Sequence, residues 1–142
     1  YRQETIFKSK KLTIINDSKS TTFSSSVSLL KSLTNVHWIV GGQAKKGDKL
    51  LLSKKDCKNI KAYIFGTNKN FFISKLKKLM RYEYFLDLKS LVKKLSLEIK
   101  VDKNRIHKTI LFSPSAASFD NFKNFEERGK YFNDLIKKYI NA

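Results

Sequence analysis

The sequence has few of the residues that build metal centres and disulfide frameworks. Among its 142 residues there is one cysteine, Cys57, and there are two histidines. A single cysteine cannot form an internal disulfide, which is typical of proteins from a reducing compartment. With so few thiol and imidazole ligands a zinc site is not expected. The sequence therefore predicts no metal site in this chain.

Long apolar runs are also missing, although hydrophobic residues make up 41% of the chain. No run approaches the roughly 18 residues that a membrane helix needs. The first residues, YRQETIFKSKK, lack the apolar centre of a signal peptide. We therefore expect no membrane partner. The chain starts at Tyr1 rather than at a methionine, so we expect a piece of a longer protein, long enough for one domain with its own core.

Acidic residues are scarce. Only 12 Asp and Glu stand against 30 Lys and Arg, and the net charge is +18. This charge makes a basic nucleic-acid-binding α/β module an alternative function. However, only four of the basic residues are arginine, which nucleic-acid-binding proteins use for bidentate and stacking contacts. The lysines are spread along the whole chain, so we favour a solvated basic surface and expect no nucleic-acid partner.

Hydrophobic periodicity predicts strands that alternate with helices. Six short apolar segments read as strands: ETIFK, KLTIIN, VHWIV, KAYIF, YEYF and HKTILF. The segments between most of them carry apolar residues at helical spacing, as do the last residues, NFEERGKYFNDLIKKYI. The sequence therefore predicts an α/β fold. We expect a mostly parallel sheet of about six strands with one antiparallel edge strand, and helices on both faces.

Three loops at the carboxyl ends of the predicted strands are candidates for a ligand site, because ligands of open α/β sheets bind there. The first loop, NDSKSTT, places Asp17, Ser18, Lys19, Thr21 and Thr22 before a helix. Side chains of the Asp, Ser and Thr type cap helices. A lysine is unfavourable at the positive end of a helix dipole, so Lys19 indicates a nearby anion.

The second loop, GGQAKKGDK, has paired glycines that permit a tight turn or a close approach to a ligand, followed by Lys45 and Lys46. A simple turn with solvated lysines is the alternative. No GxxxxGK[ST] motif occurs, so the phosphate-binding loop of nucleotide-hydrolysing enzymes is absent.

The third loop, SPSAAS, combines small residues with hydroxyl donors, of which Ser118 is the best placed. The amino end of the helix that follows could hold an anion with its N–H groups. The alternative is that Ser113 or Ser115 simply caps that helix. Three such loops at one sheet edge suit a small dianion, such as a dicarboxylate.

Taken in chain order, INDSKSTT, GGQAKKGD and SPSAASFDNFKNFEERG resemble loops of the D-glutamate-adding Mur ligases, the UDP-N-acetylmuramoylalanine–D-glutamate ligases. In that family they read close to NDSKATN, GG-x-x-K and SPACASFD-x-F-x-NFE-x-RG. YRQE is similar to the HR-x-E that ends the family's interdomain linker. The resemblance implies a Rossmann-like C-terminal domain. Residues 1–10 would be the end of the linker and the first edge strand, and residues 11–142 the D-glutamate-binding domain.

The resemblance implies a cytoplasmic, monomeric enzyme of peptidoglycan precursor synthesis. This ligase would join D-glutamate to UDP-N-acetylmuramoyl-L-alanine through an acyl-phosphate, with ATP and Mg²⁺ as cofactors. The UDP-sugar site, the phosphate loop and the Mg²⁺ ligands would lie in other domains, so we expect this chain alone to be inactive. Another amino-acid-adding Mur-type ligase is an alternative, against which the DSK and SPSAASFD loops argue.

The resemblance also implies roles for individual residues. Lys45 and Ser118 would each bind one carboxylate of D-glutamate, with help from Thr21. Two further positions, Phe119 and Phe125, would line the same pocket.

The remaining assignments concern the nucleotide and the reacting groups. Lys19 would lie near the incoming amino acid and the phosphate, and it is the catalytic candidate. Asp17 would contact the nucleotide ribose. Arg2, in the linker, would reach the nucleotide as the domain closes.

Overall fold

A computed structural model describes residues 1–118 and 122–140. Its elements are the strands β1 (Glu4–Lys8), β2 (Leu12–Asn16), β3 (Val36–Gly41), β4 (Ile60–Phe65), β5 (Arg81–Phe85) and β6 (Lys108–Phe112), and the helices α1 (Ser24–Ser32), α2 (Lys69–Leu76), α3 (Leu88–Val101) and α4 (Phe125–Tyr139). These elements follow the segments that the periodicity predicts.

The six strands form one sheet in the order β1-β2-β6-β3-β4-β5. β1 runs antiparallel to β2, and the other four neighbouring pairs are parallel. The predicted fold class is therefore confirmed, including the antiparallel edge strand. The last strand along the chain, β6, lies near the centre of the sheet, between β2 and β3.

Helices cover both faces of the sheet, as predicted. On one face, α1 and α2 pack through Leu30 and Phe72 around Trp38 of β3. On the other face, α3 and α4 pack through Leu95 and Phe132. Because β3, β4 and β6 are covered on both sides, their burial is almost continuous rather than alternating, which is typical of buried parallel strands.

The two long helices have side-chain caps that the sequence places correctly for a helix start. The Asp87 carboxylate accepts from the Ser90 N–H at α3, and the Asn124 side chain accepts from the Glu127 N–H at α4. Such a cap satisfies an N–H group that has no partner within the helix and contributes about 1 kcal/mol. The described residues contain no helix with both the length and the apolarity needed to cross a membrane.

Two caps that the sequence left open as alternatives do not form. The residue before α1 is Phe23, which makes no side-chain cap; its N–H instead donates to the Asp48 carboxylate at 2.8 Å, from the loop after β3. Ser113 and Ser115 do not cap α4, because that helix begins only at Phe125. In both cases the cap depends on how far the loop extends before the helix begins, which local composition does not reveal.

Candidate functional site

The three candidate loops start side by side at one edge of the sheet. The last residue of β2, Asn16, is in register with Phe112, the last residue of β6. Phe112 is in turn in register with Ile39 of β3. Because these three strands are parallel neighbours, the loops that follow them leave the sheet at adjacent positions.

Backbone hydrogen bonds join the three loops directly. The Asp17 N–H donates to the Phe112 carbonyl at 2.7 Å, and the Gly41 N–H donates to the Pro114 carbonyl at 3.0 Å. Further out, Gln43 and Ala117 exchange two N–H···O bonds of 2.9 and 3.1 Å and form an isolated antiparallel bridge. The loop after β6 is therefore fastened between the other two.

The paired glycines allow this close approach between loops. Gly42 has a φ of +123°, and a Cβ atom there would lie 2.8 Å from the Ala117 carbonyl oxygen. At Gly41 a Cβ atom would lie only 2.1 Å from the Phe65 carbonyl oxygen. Side chains at these positions would collide with backbone, so the glycines are explained by protein packing before any ligand is considered.

A buried arginine on α4 holds two of the loops. Arg128 is 0% exposed, and its guanidinium donates to the carbonyls of Ser18 at 2.6 Å, Ala116 at 2.8 Å and Ser20 at 3.4 Å. It also donates to the Ser18 hydroxyl at 3.1 Å. The backbone on both sides of Lys19 is therefore bound to one rigid, planar donor group.

A cluster of buried hydroxyls links the same loops to α1. The Ser26 hydroxyl, fully buried, lies within hydrogen-bond distance of the hydroxyls of Ser20, Ser113 and Ser115. The Ser113 hydroxyl also donates to the Asp17 carboxylate at 2.8 Å. The hydroxyls predicted as possible ligand donors in the third loop are thus used inside the protein, with the exception of Ser118.

Asp17, predicted to contact a nucleotide ribose, is buried beneath the chain start. One carboxylate oxygen accepts from the Gln3 N–H at 3.1 Å and the other from the Ser113 hydroxyl. Burial raises the pKa of Asp17, and these hydrogen bonds and the nearby positive charge of Arg2 act in the opposite direction. Arg2 is exposed beside this carboxylate, so the two predicted nucleotide residues are brought together.

Lys19 lies on the surface of the first loop. Its side chain is exposed, and its Nζ atom lies 5.9 Å from the centre of the Phe125 ring. The loop is anchored on both sides, because the Lys19 N–H donates to the Tyr1 carbonyl and the Ser18 hydroxyl donates to the Phe125 carbonyl at 2.7 Å. Lys19 and Phe125, predicted from separate motifs, are therefore neighbours.

Lys45, Thr21 and Ser118 belong to the three joined loops but differ in exposure. Lys45 and Thr21 are exposed, and Lys45 takes part in no ion pair among the described residues. Ser118 is only 3% exposed, and within residues 1–118 and 122–140 its hydroxyl makes no hydrogen bond. A buried hydroxyl that makes no hydrogen bond to the described residues is unusual. The fifth predicted pocket residue, Phe119, lies outside the described residues.

Sequence reasoning missed the residues that hold the loops together. Arg128, Ser26 and the pair formed by Tyr1 and Gly129 were not predicted, although Gly129 lies inside a helix where glycine costs about 1 kcal/mol. A Cβ atom at Gly129 would lie 2.3 Å from the Tyr1 ring. The helical glycine and the isolated arginine beside it were the available signals.

The chemistry available at this edge is anion binding by exposed cations and a buried hydroxyl. Among the cavities of the described surface, one of about 400 Å³ borders the second loop through Ala44, Lys46 and Gly47. Lys19 and Lys45 are exposed on the loops beside it. Among the described residues no three His, Cys, Asp or Glu side chains converge as metal ligands.

Comparisons with known proteins give one consistent result. The chain is 36% identical over 138 residues to the UDP-N-acetylmuramoylalanine–D-glutamate ligase of a Wolbachia from Brugia malayi, a match that covers 97% of this chain and 27% of that protein. It is 38% identical to the ligase of the same name from Prochlorococcus marinus strain MIT 9515, over 99% of this chain and 30% of that protein. It is 34% identical to the ligase of the same name from Francisella philomiragia, over 88% of this chain and 30% of that protein. The chain thus spans less than a third of these relatives' length. No protein-family model matches it.

Proposed function

We propose that this chain supplies the D-glutamate pocket of a ligase, because it belongs to the UDP-N-acetylmuramoylalanine–D-glutamate ligases as a Mur ligase C-terminal domain. The complete protein would be a cytoplasmic, monomeric ligase that joins D-glutamate to UDP-N-acetylmuramoyl-L-alanine. The chain spans less than a third of the relatives, so the other substrates would be held largely by other domains.

One observation carries this proposal. The loops after β2, β6 and β3 are fastened together at one edge, and they carry exposed Lys19 and Lys45 together with the buried Ser118 hydroxyl, which has no hydrogen-bond partner in the described part of the chain. D-glutamate has two carboxylates. A lysine and a hydroxyl on different loops can each bind one of them, and a charge-assisted hydrogen bond contributes about 1.5–3 kcal/mol. Thr21, Phe119 and Phe125 would complete the pocket.

The nucleotide would lie beside this pocket, toward the chain start. Arg2 and Asp17 are neighbours there, and the Asp17 carboxylate, which accepts from the Gln3 N–H and the Ser113 hydroxyl, would accept a ribose hydroxyl as a further donor. ATP would supply the phosphoryl group that activates the acceptor carboxylate as an acyl-phosphate. The ligands of Mg²⁺ would come from another domain of the complete protein, because this chain spans less than a third of its relatives.

The exposure of Lys19 and Lys45 at this edge supports a closing role. An acyl-phosphate hydrolyses when water reaches it, and closure of one domain on another excludes water. Lys19 would then orient the incoming amine and stabilise negative charge on the transferred phosphoryl oxygens. In isolation the chain lacks the surface on which it closes, so we expect it to be inactive.

The test is steady-state kinetics of the full-length ligase with D-glutamate as the varied substrate. Lys45→Ala and Ser118→Ala should each raise the KM for D-glutamate about tenfold or more, while the KM for ATP changes little, because each removes one charge-assisted hydrogen bond. Lys46→Ala, on the adjacent residue, is the matched control and should behave as the unchanged enzyme. If both variants keep the original KM, or if Lys46→Ala has the larger effect, the assignment of the pocket is wrong.

A further inference from the structure

A cavity of about 510 Å³ opens at the amino ends of the parallel strands, at the edge opposite the candidate D-glutamate site. The first residues of β3, β4, β5 and β6 line it, and the carboxyl end of α3 closes one side. Its volume lies within the roughly 300–1,000 Å³ typical of small-molecule sites. Nothing in the proposed ligase reaction uses this end of the sheet.

A hydrogen-bonded chain of three side chains runs along the wall of the cavity. The Tyr63 hydroxyl donates to the Glu98 carboxylate at 2.8 Å, and His37 Nδ1 lies 3.0 Å from the same hydroxyl oxygen. Because Tyr63 donates its hydrogen to Glu98, its oxygen accepts from the Nδ1–H of His37. The Nε2 atom of His37 is then an acceptor, and it makes no hydrogen bond among the described residues.

Cations outnumber carboxylates around the cavity. Lys61 forms an ion pair of 2.6 Å with a glutamate of β5, and Lys108 forms one of 2.6 Å with Asp102. The two other cations that line it, Lys58 and Arg81, take part in no ion pair among the described residues. They also line the adjoining cavity of about 880 Å³, so they stand at the boundary between the two.

The net field at His37 reflects this excess of cations. Burial lowers the pKa of His37, and the positive charges of Lys108, Lys61 and Arg81 lower it further. The negative charge of Asp102 acts in the opposite direction but is outweighed, so the pKa falls to about 4. The imidazole is therefore neutral near pH 7. An anion bound beside it would have the opposite effect and raise its pKa.

We propose that this cavity binds a sugar phosphate, with the phosphate between Lys58 and Arg81 and the sugar hydroxyls against His37, Glu98 and the neighbouring amides. Arg81 supplies the planar fork that binds phosphate oxygens in pairs, and Lys58 adds a second charge. The Nε2 atom of His37 accepts from a sugar hydroxyl. The second carboxylate oxygen of Glu98 and the side-chain amides of Asn59 and Asn104, which also line the cavity, are further hydroxyl partners.

Other classes of ligand fit these walls less well. An apolar ligand would desolvate charged and amide groups without replacing their hydrogen bonds, at a cost of about 1–3 kcal/mol for each. A metal cation would be repelled by the positive charges of Lys58 and Arg81. A bare phosphate would use these two cations but would leave the His37, Tyr63 and Glu98 chain unengaged.

Ring NMR signals of the two histidines test the proposal within one molecule. His37 lines the cavity, whereas the His107 ring nitrogen bonds to the Thr13 hydroxyl at 2.8 Å and serves as the internal control. The signals would be followed at constant pH while ribose 5-phosphate, ribose or inorganic phosphate is added to the chain. Ribose 5-phosphate should shift the ring signals of His37, whose Nε2 atom gains a hydrogen bond from a sugar hydroxyl, and leave the ring signals of His107 nearly unchanged. Ribose and inorganic phosphate should each have a smaller effect.

Charge-matched variants distinguish binding at a specific site from the general attraction of an anion to a chain with a net charge of +18. Arg81→Gln and Lys58→Gln should each weaken ribose 5-phosphate binding at least tenfold, while Lys10→Gln, which removes the same charge from the exposed turn between β1 and β2, should not. An unmoved His37, or equal shifts of both histidines, would overturn the proposal. An equal response to inorganic phosphate would overturn the sugar contacts. Lys45→Ala should leave this binding unchanged, which keeps the result independent of the proposed D-glutamate site.

Discussion

Replacement of Arg128 by methionine tests whether one buried guanidinium holds the candidate site together. Methionine keeps much of the side-chain length and removes the donors. The change leaves the Ser18 and Ala116 carbonyls, now 2.6 and 2.8 Å from the guanidinium, without that donor. A buried polar group that loses its partner costs about 1–3 kcal/mol, so two such groups cost about 2–6 kcal/mol. This is a large share of the roughly 5–15 kcal/mol by which a domain is stable.

The measurement is urea unfolding of the chain, followed by circular dichroism. The free energies of unfolding of the variants are compared when their dependence on urea concentration has the same slope. Lys130→Met, two residues further along α4, is the matched control, because Lys130 is 74% exposed and its ion pair with Asp134 is long, at 3.4 Å. A surface pair of this kind contributes less than about 1 kcal/mol. Arg128→Lys should fall between the two, because one ammonium cannot reach every acceptor. If Arg128→Met costs no more than the control, the guanidinium does not hold the loops, and the account of the site's rigidity is wrong.

The other predictions concern an ion-pair cluster and the chain start. Glu83 lies 2.6 Å from both Lys61 and Lys94; burial acts to raise its pKa, but these partners outweigh it and lower the pKa to about 2. A lowered carboxylate pKa stabilises the fold above the unfolded value of about 4.5, and this contribution disappears as the pH falls toward 2. The stability difference from Glu83→Gln, measured by urea unfolding, should therefore vanish in acid, and a difference independent of pH would contradict it. Gly129→Ala should lack the usual gain of about 1 kcal/mol for a helix, because the new Cβ atom collides with Tyr1; a full gain in thermal unfolding would show that Tyr1 does not pack there.

The candidate site divides into what local patterns could predict and what they could not. The positions of the three loops followed from strand periodicity and from the rule that parallel strands end at one edge. The use of the loop hydroxyls did not follow, because Ser113 and Ser115 look equivalent to Ser118 in the sequence. The first two are bonded to Ser26 or Asp17, and Ser118 has no such bond among the described residues.

The helix ends illustrate the same limit. Asp87 and Asn124 are caps of the predicted type and lie directly before the helices they cap. At the start of α1 the Phe23 N–H donates instead to the carboxylate of Asp48, 25 residues further along the chain. A sequence window can detect a cap that is adjacent in the chain. It cannot detect one that folding brings from another loop.

Apolar periodicity alone was enough to determine the α/β class, the number of strands and the helix faces, because the need to bury one face of each element acts locally along the chain. The loop motifs also predict an anion site, which stays a prediction. The folded chain decided the rest: β6 lies between β2 and β3, Arg128 reaches two loops at once, and the Ser118 hydroxyl is the one of the third loop without a hydrogen bond within residues 1–118 and 122–140. These features depend on contacts between residues distant in sequence, and such contacts are selected by the packing of the whole domain.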